Sequence, residues 1–192
     1  GKLEVRYKGP NITPGYWRAP QETAEAFDDE GFFKTGDAVQ WIDPQDVHKG
    51  LKFDGRIAED FKLATGTFVS VGPLRAKIIA AGAPYVQDAV ITGLNRNEVG
   101  ALVFPTAKLR QLSPEDAQRH FQKMLNELAA SATGSANRIA RLHVLDEPPS
   151  IDKGEVTDKG SINQRAVLKH RDALVQAFHD NQLPHTLKPE QA

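Results

Sequence analysis

From Leu3 to Tyr7 apolar and charged residues alternate, the period of a strand with one buried face. The loop KGPNITPG follows, and PQETAEAF (residues 20–27) opens on Pro with an early Glu, which predicts a short helix. DAVQWID (37–43) and GLKFDG (50–55) are strand-like runs joined by the turn-forming DPQDVHK, and they read as an antiparallel pair. Past Arg56 the texture changes. FKLATGTFVSVGP reads as two short strands broken at Thr65-Gly66, and LRAKIIAAG as a helix ended by Gly82. The Val- and Ile-rich YVQDAVITGLNRNEVGALVFPT predicts a hairpin turning around residues 95–97. Ser113 followed by Pro114, Glu115 and Asp116 has the form of an N-cap with Pro at the first helical position. Ala117, Phe121, Leu125 and Leu128 then recur on one face, so a helix of about four turns is expected. IARLHVLDE is one more strand, and PPSIDKGEVTDKGSINQ is a long polar loop. A last helix runs from about Gln164 to Asn181, and LPHTLKPEQA is expected to fray.

The pattern is α+β. A small β-rich segment over residues 1–54 precedes a compact α+β domain over 55–182 and a tail over 183–192, with no internal repeat. GKLEVRYKGP has no initiator Met and enters a strand at once, as a chain beginning mid-fold would. A piece of a longer protein is therefore expected.

Composition narrows the function classes. Lys and Arg number 24 against 25 Asp and Glu, a formal net charge of −1, so no long-range field marks a binder of nucleic acid or anionic membranes. The chain has no cysteine, which removes disulfides, thiolate catalysis and cysteine-ligated zinc and fits a reducing compartment; a cytoplasmic location is expected. The histidines (His48, His120, His143, His170, His179 and His185) are scattered without a metal-seating pair, and no metal site is expected. No apolar run approaches the ~18 residues of a membrane span.

Four stretches carry candidate chemistry. GPNITPGYW (9–17) is a Gly/Pro loop ending on aromatics; FKTGDAV (33–39) places an aspartate directly after a glycine. FDGRIAEDFKLATGTFVSV (53–71) sets Gly55-Arg56 at the domain break and Gly66 in the next turn. DKGEVTDKGSINQRAVLKHR (152–171) is a lysine-bearing loop before a helix. Each alone is ordinary turn chemistry. In this order and at these separations they resemble the C-terminal motifs of the adenylate-forming superfamily: acyl-CoA synthetases, nonribosomal peptide adenylation domains and luciferases. The wording TGTFVSVGPLRAKII followed by EVTDKGSINQRAVL looks most like the feruloyl-CoA synthetase branch. A related texture occurs in the adenylation domains of carboxylic acid reductases.

The resemblance implies roles. Residues 1–54 would be the end of a large N-terminal domain, the remnant of its β-barrel subdomain, and the domain after it would be mobile. Asp37, with Thr35 and Gly36 beside it, would accept hydrogen bonds from the ribose hydroxyls of ATP and of the acyl-adenylate, since a carboxylate offers two acceptors to a vicinal diol. Arg56 would contact ribose or phosphate through its guanidinium fork. Lys159 would bridge the carboxylate and the α-phosphate during adenylation, with Lys153 as the competing alignment; this sequence departs from the family's usual TGKxxR. After adenylation the domain would swing about a hinge just past Arg56. Where the family carries Asp or Lys at the pivot, this chain has Ala58, and Glu59, Asp60 or Lys62 are the alternatives. Gly66 would line the tunnel for the pantetheine arm, where a side chain would crowd the thiol.

The family's phosphate-binding loop, a Ser/Thr/Gly-rich run ending in Lys, does not occur in the 192 residues, nor does the half that forms the acyl pocket. The expectation is thus the C-terminal part of an ATP-dependent acid–CoA ligase, inactive by itself and dependent on the missing N-terminal domain. Its partners would be a small carboxylic acid of aromatic, hydroxycinnamate type, ATP and CoA, with Mg2+ accompanying ATP but no ligand for it visible. The rivals are the adenylation domain of a carboxylic acid reductase and a non-catalytic interaction module of the same fold.

Overall fold

The computed structural model describes residues 2–190, and the chain folds as two compact units, Gly1–Ala58 and Glu59–Ala192. In the first unit β1 (Leu3–Tyr7), β2 (Phe33–Trp41) and β3 (Leu51–Arg56) form an antiparallel sheet in that order, with a helix α1 (Pro20–Ala26) between β1 and β2. The alternation read from the sequence sets the faces. Leu3 pairs with Val39, Val39 with Phe53 and Trp41 with Leu51, so these five lie on one side of the sheet. That side stays largely open; Leu3, Trp41, Leu51 and Phe53 are exposed. Among the described residues of this unit only Ala38 and Gly55 are buried, and the three strands form an open sheet rather than a closed barrel.

The second unit has a real core. A short hairpin, β4 (Phe61–Lys62) and β5 (Phe68–Val69), leads into α2 (Val71–Ala81). The main sheet follows: β6 (Val86–Thr92), β7 (Val99–Pro105), then α3 (Pro114–Ala130) and β8 (Ile139–Val144). β6 and β7 are the expected hairpin, whereas β8 joins β7 in parallel through the α3 crossover. Helices α4 (Gln164–His170) and α5 (Asp172–His179) complete the unit.

β6 and β7 are buried on both faces because each face has its own helical cover. Ala89, Ile91, Ala101 and Val103 pack with Val71, Leu74 and Ile78 of α2 and Phe121 and Leu125 of α3. The alternate residues Val90, Leu102 and Phe104 pack with Val167 of α4 and Phe178 of α5. The result is a three-layer arrangement, helices on both sides of a three-stranded sheet.

Three elements differ from the sequence expectation. α2 begins at Val71 rather than near Leu74, because the carboxylate of Asp60, Oδ1, accepts the Val71 N–H at 2.9 Å and caps the helix from outside it. The final helix is broken at Arg171 into α4 and α5, since that residue leaves helical geometry with φ −105° and ψ 27°. The segment after α5, expected to fray, is held: Leu142 and Leu187 exchange backbone hydrogen bonds of 2.9 and 2.8 Å, and Gln122 Nε2 donates to the Lys188 carbonyl at 2.8 Å.

Candidate functional site

In the first unit Thr35, Gly36, Asp37 and Arg56 come together. Gly36 adopts φ +72°, a left-handed conformation that lets β2 change register against β1 between Glu4 and Arg6 and against β3 between Asp37 and Val39. A methyl group on Gly36 would meet nothing within 4 Å, so glycine is required by the backbone and not by crowding. The distortion is pinned locally. Thr35 Oγ1 donates to the Val5 carbonyl at 2.6 Å and accepts the Asp37 N–H at 3.1 Å, while the Gly36 N–H donates to Glu4 Oε1 at 3.0 Å.

Asp37 and Arg56 are direct cross-strand partners, and Arg56 Nη1 donates to Asp37 Oδ1 at 2.5 Å and to the Thr35 carbonyl at 3.3 Å. Both side chains are well exposed, 37% and 55%. An ion pair so solvated is worth about 0–1 kcal/mol, so fold stability does not require it. Chemically it is half used. Asp37 Oδ2 and the Nε and Nη2 groups of Arg56 have no hydrogen-bond partner among the described residues, which leaves an acceptor and a two-donor edge unused on one solvated pair.

Gly66 and Lys159 belong to the second unit, on separate turns. Gly66 sits at the tip of the β4–β5 hairpin with φ +81°; Leu63 and Thr67 close the turn through Leu63 N–H to Thr67 O at 2.9 Å. Nothing lies within 4 Å of an added Cβ, so within this unit the glycine answers to backbone geometry; crowding plays no part.

The loop between β8 and α4 is two consecutive turns. In the first, Glu155 N–H donates to the Ser150 carbonyl at 2.9 Å, and exposed Lys153 rides at its outer edge. In the second, Val156 bridges Ile162, Thr157 N–H donates to Ser161 O at 2.9 Å, and Asn163 N–H returns to Glu155 O at 2.9 Å. Lys159 stands at that tip beside Gly160 (φ +79°), exposed and with no hydrogen bond or ion pair among the described residues.

Glu155, shared by the two turns, is 1% exposed and was not among the residues singled out in the sequence. Its carboxylate accepts the Ser150 N–H at 2.8 Å and a forked pair of bonds from Arg171, Nε to Oε1 at 3.0 Å and Nη2 to Oε2 at 2.8 Å. Arg171 donates also to the Glu147 and Pro148 carbonyls and lies over the Phe104 ring, 5.2 Å from its centre. The guanidinium holds the Glu155 carboxyl below the usual carboxylate range.

The same unit buries further polar ties. Arg75 grips Asp88 through two 2.6 Å bonds, and Asp88 raises the Arg75 guanidinium above its ordinary value. Gln164 Oε1 accepts the Ile91 N–H at 2.8 Å, fixing the start of α4 to β6. His179 Nε2 lies 2.8 Å from Thr92 Oγ1, and burial, with the Arg141 and Arg96 charges, pushes its pKa down to about 4.

Among the described residues no three His, Asp, Glu or Cys side chains converge to hold a metal ion. No helix among them is long and apolar enough to cross a membrane.

The chain is 25% identical over 184 residues, 91% of its length, to a chloroplastic long-chain-fatty-acid–[acyl-carrier-protein] ligase of Arabidopsis thaliana, and covers 25% of that protein. It is 40% identical over 128 residues, 67% of its length, to a long-chain-fatty-acid–CoA ligase of Cavia porcellus, of which it covers 17%. The chain thus spans a quarter or less of these relatives. Its fold is similar to that of the adenylation domain of a carboxylate reductase from Mycobacterium chelonae, with a TM-score of 0.75 at 27% identity over 92% of this chain and 27% of that one. Residues 60–182 match the family described as AMP-binding enzyme C-terminal domain, and the chain belongs to that family, within the adenylate-forming superfamily.

Proposed function

We propose that the chain is the C-terminal part of an ATP-dependent acid–CoA ligase that first joins a carboxylate to AMP and then passes the acyl group to the CoA thiol. The observation that carries this reading is the Asp37–Arg56 pair at the Gly36 distortion. The open Asp37 oxygen is an acceptor for a ribose hydroxyl, and the free edge of Arg56 is a donor for ribose or phosphate. Lys159 supplies the second element: an unengaged ammonium on a tight turn, able to neutralise charge between carboxylate and α-phosphate as pyrophosphate departs. Lysine suits this because its charge is compact and its stem flexible. The large domain that would hold the acid and the triphosphate is outside this chain, so the chain alone is expected to lack ligase activity.

The wording around Gly66 and Lys159 supports an aromatic, hydroxycinnamate-type acid. A second reading, the adenylation part of a carboxylic acid reductase, is favoured by the similarity to the Mycobacterium chelonae domain. The test is pyrophosphate exchange into ATP by the full-length protein across hydroxycinnamates and fatty acids, followed by product analysis with CoA and with NADPH. A hydroxycinnamoyl-CoA thioester is expected. Exchange driven by fatty acids alone sinks the aromatic assignment, and an aldehyde product formed with NADPH instead of a thioester replaces the ligase by the reductase.

A further inference from the structure

We propose that Glu155 and Arg171 form a positioning pair that sets the reach of Lys159 in the adenylation step; the inference rests on the ligase reading above. Glu155 is the one residue common to both turns of the loop. Its N–H and its carboxylate close the first turn on Ser150, and its carbonyl closes the second by accepting from Asn163. Lys159 lies four residues beyond it, at the tip of a turn sealed by the Val156–Ile162 bridge and the Thr157–Ser161 contacts. Any rotation of Glu155 is therefore carried to the lysine.

Arg171 fixes that pivot to the core. It occupies the break between α4 and α5, its fork holds both Glu155 oxygens, its remaining donations go to the Glu147 and Pro148 carbonyls where the loop begins, and its plane rests on Phe104 of β7. One guanidinium thus ties the start of the loop, its middle and the sheet. The polar loop has little apolar surface of its own to do this: Ile151 is 77% exposed, and only Glu155, Ile162 and Gln164 are buried between residues 150 and 164. A carboxylate that is 1% exposed is a poor choice for stability alone, because desolvation offsets most of the attraction to its partner. It is a good choice for direction, since a forked pair permits one orientation.

The test compares half-reactions in the full-length protein. Glu155→Gln keeps the shape without the charge, Arg171→Lys keeps the charge without the planar guanidinium, and each loses the fork. Each is expected to slow carboxylate-dependent pyrophosphate exchange by about tenfold to a hundredfold, as misplacement of a catalytic group by about 1 Å does. The KM for ATP should stay within about twofold, and so should thioester formation from supplied acyl-adenylate, with amide exchange rising in 150–163 and unchanged in β6 and β7. A double replacement, Glu155→Leu with Arg171→Met, separates positioning from propping, since apolar substitutes restore buried packing without the fork. Recovery of the unfolding midpoint without recovery of exchange is expected. Recovery of both overturns the proposal, as does an equal loss in both half-reactions. Lys159→Ala distinguishes failure of the underlying reading: if it leaves pyrophosphate exchange intact, the lysine assignment falls and the pair with it. If it abolishes exchange while Arg171→Lys and Glu155→Gln do not impair it, only the positioning role falls.

Discussion

Lowering the pH from 7.5 to 4.5 should destabilise the second unit through His179, and the size of the effect follows from where that ring sits. It is 8% exposed, bonded to Thr92 Oγ1, and faced by Arg141 and Arg96, with Glu98 and Asp180 only partly offsetting those cations. Its pKa falls from the ordinary 6.5 to about 4 in the folded protein. Above 6.5 neither state binds the proton and stability does not respond. Between 6.5 and 4 the unfolded chain takes a proton that the folded one refuses, so stability drops as pH falls, and the loss levels off below 4. At ~1.4 kcal/mol per pH unit the gap amounts to about 3 kcal/mol. Both tryptophans, Trp17 and Trp41, belong to the first unit, so fluorescence is the wrong probe. Ellipticity at 222 nm is better, because α2 to α5 carry most of the helix. Urea unfolding of the wild type and His179→Gln at pH 7.5, 6, 5 and 4.5 gives the comparison. Buried His143, also depressed by burial, contributes equally to both proteins and cancels. Parallel pH curves for wild type and variant would refute the reasoning.

Three other outcomes are expected. Lys159→Ala should leave urea unfolding within about 0.5 kcal/mol, because the side chain is exposed and unengaged, yet cut pyrophosphate exchange in the full-length protein by about a hundredfold or more. Asp37→Asn should also be thermally silent to within about 1 kcal/mol, the value of a solvated pair, while raising the KM for ATP; an unchanged KM removes Asp37 from the nucleotide site. Gly66→Ala forces a Cβ into φ +81° and should cost about 1–2 kcal/mol by ellipticity-monitored urea unfolding; a silent variant would show that the turn relaxes out of that conformation.

Local pattern made much of the fold legible. The alternation in Leu3–Tyr7, the Val- and Ile-rich runs of β6 and β7, and the Ser113-Pro114 cap are properties of neighbouring residues, and neighbours suffice to read them. What could not be read depends on distant partners. The parallel register of β8 on β7 needs the α3 crossover, α2 starts where a carboxylate 11 residues earlier reaches its first N–H, and the last helix breaks where Arg171 is claimed by Glu155. Leu187 docks on β8 for the same kind of reason: strand-edge groups of Leu142 were open, and no local signal in LPHTLKPEQA announces it.

The candidate site divides along the same line. Thr35, Gly36, Asp37 and Arg56 were legible together because the hairpin that joins residues 37–43 to 50–55 was legible, and its register alone makes Asp37 face Arg56. Lys159 and Lys153 were legible as tips of a polar loop, but what holds that loop was not. In the sequence Glu155 is one charge among Asp152, Lys153, Asp158 and Lys159, all of them exposed; burial alone sets it apart. The structure also alters the choice between the lysines. The Lys153 N–H donates to Ser150 Oγ at 3.3 Å, the Lys159 turn is closed by Thr157 on Ser161, and Glu155 is shared by both turns, so the two tips rest on one residue. A substitution at Lys153 that perturbs its turn can therefore depress adenylation without Lys153 touching a substrate. Loss of activity in Lys153→Ala alone does not identify it as the reacting group; the discriminating pair is Lys153→Arg and Lys159→Arg. Each preserves a cation and an exposed turn, and only the position that needs a compact charge should fail to tolerate the larger guanidinium.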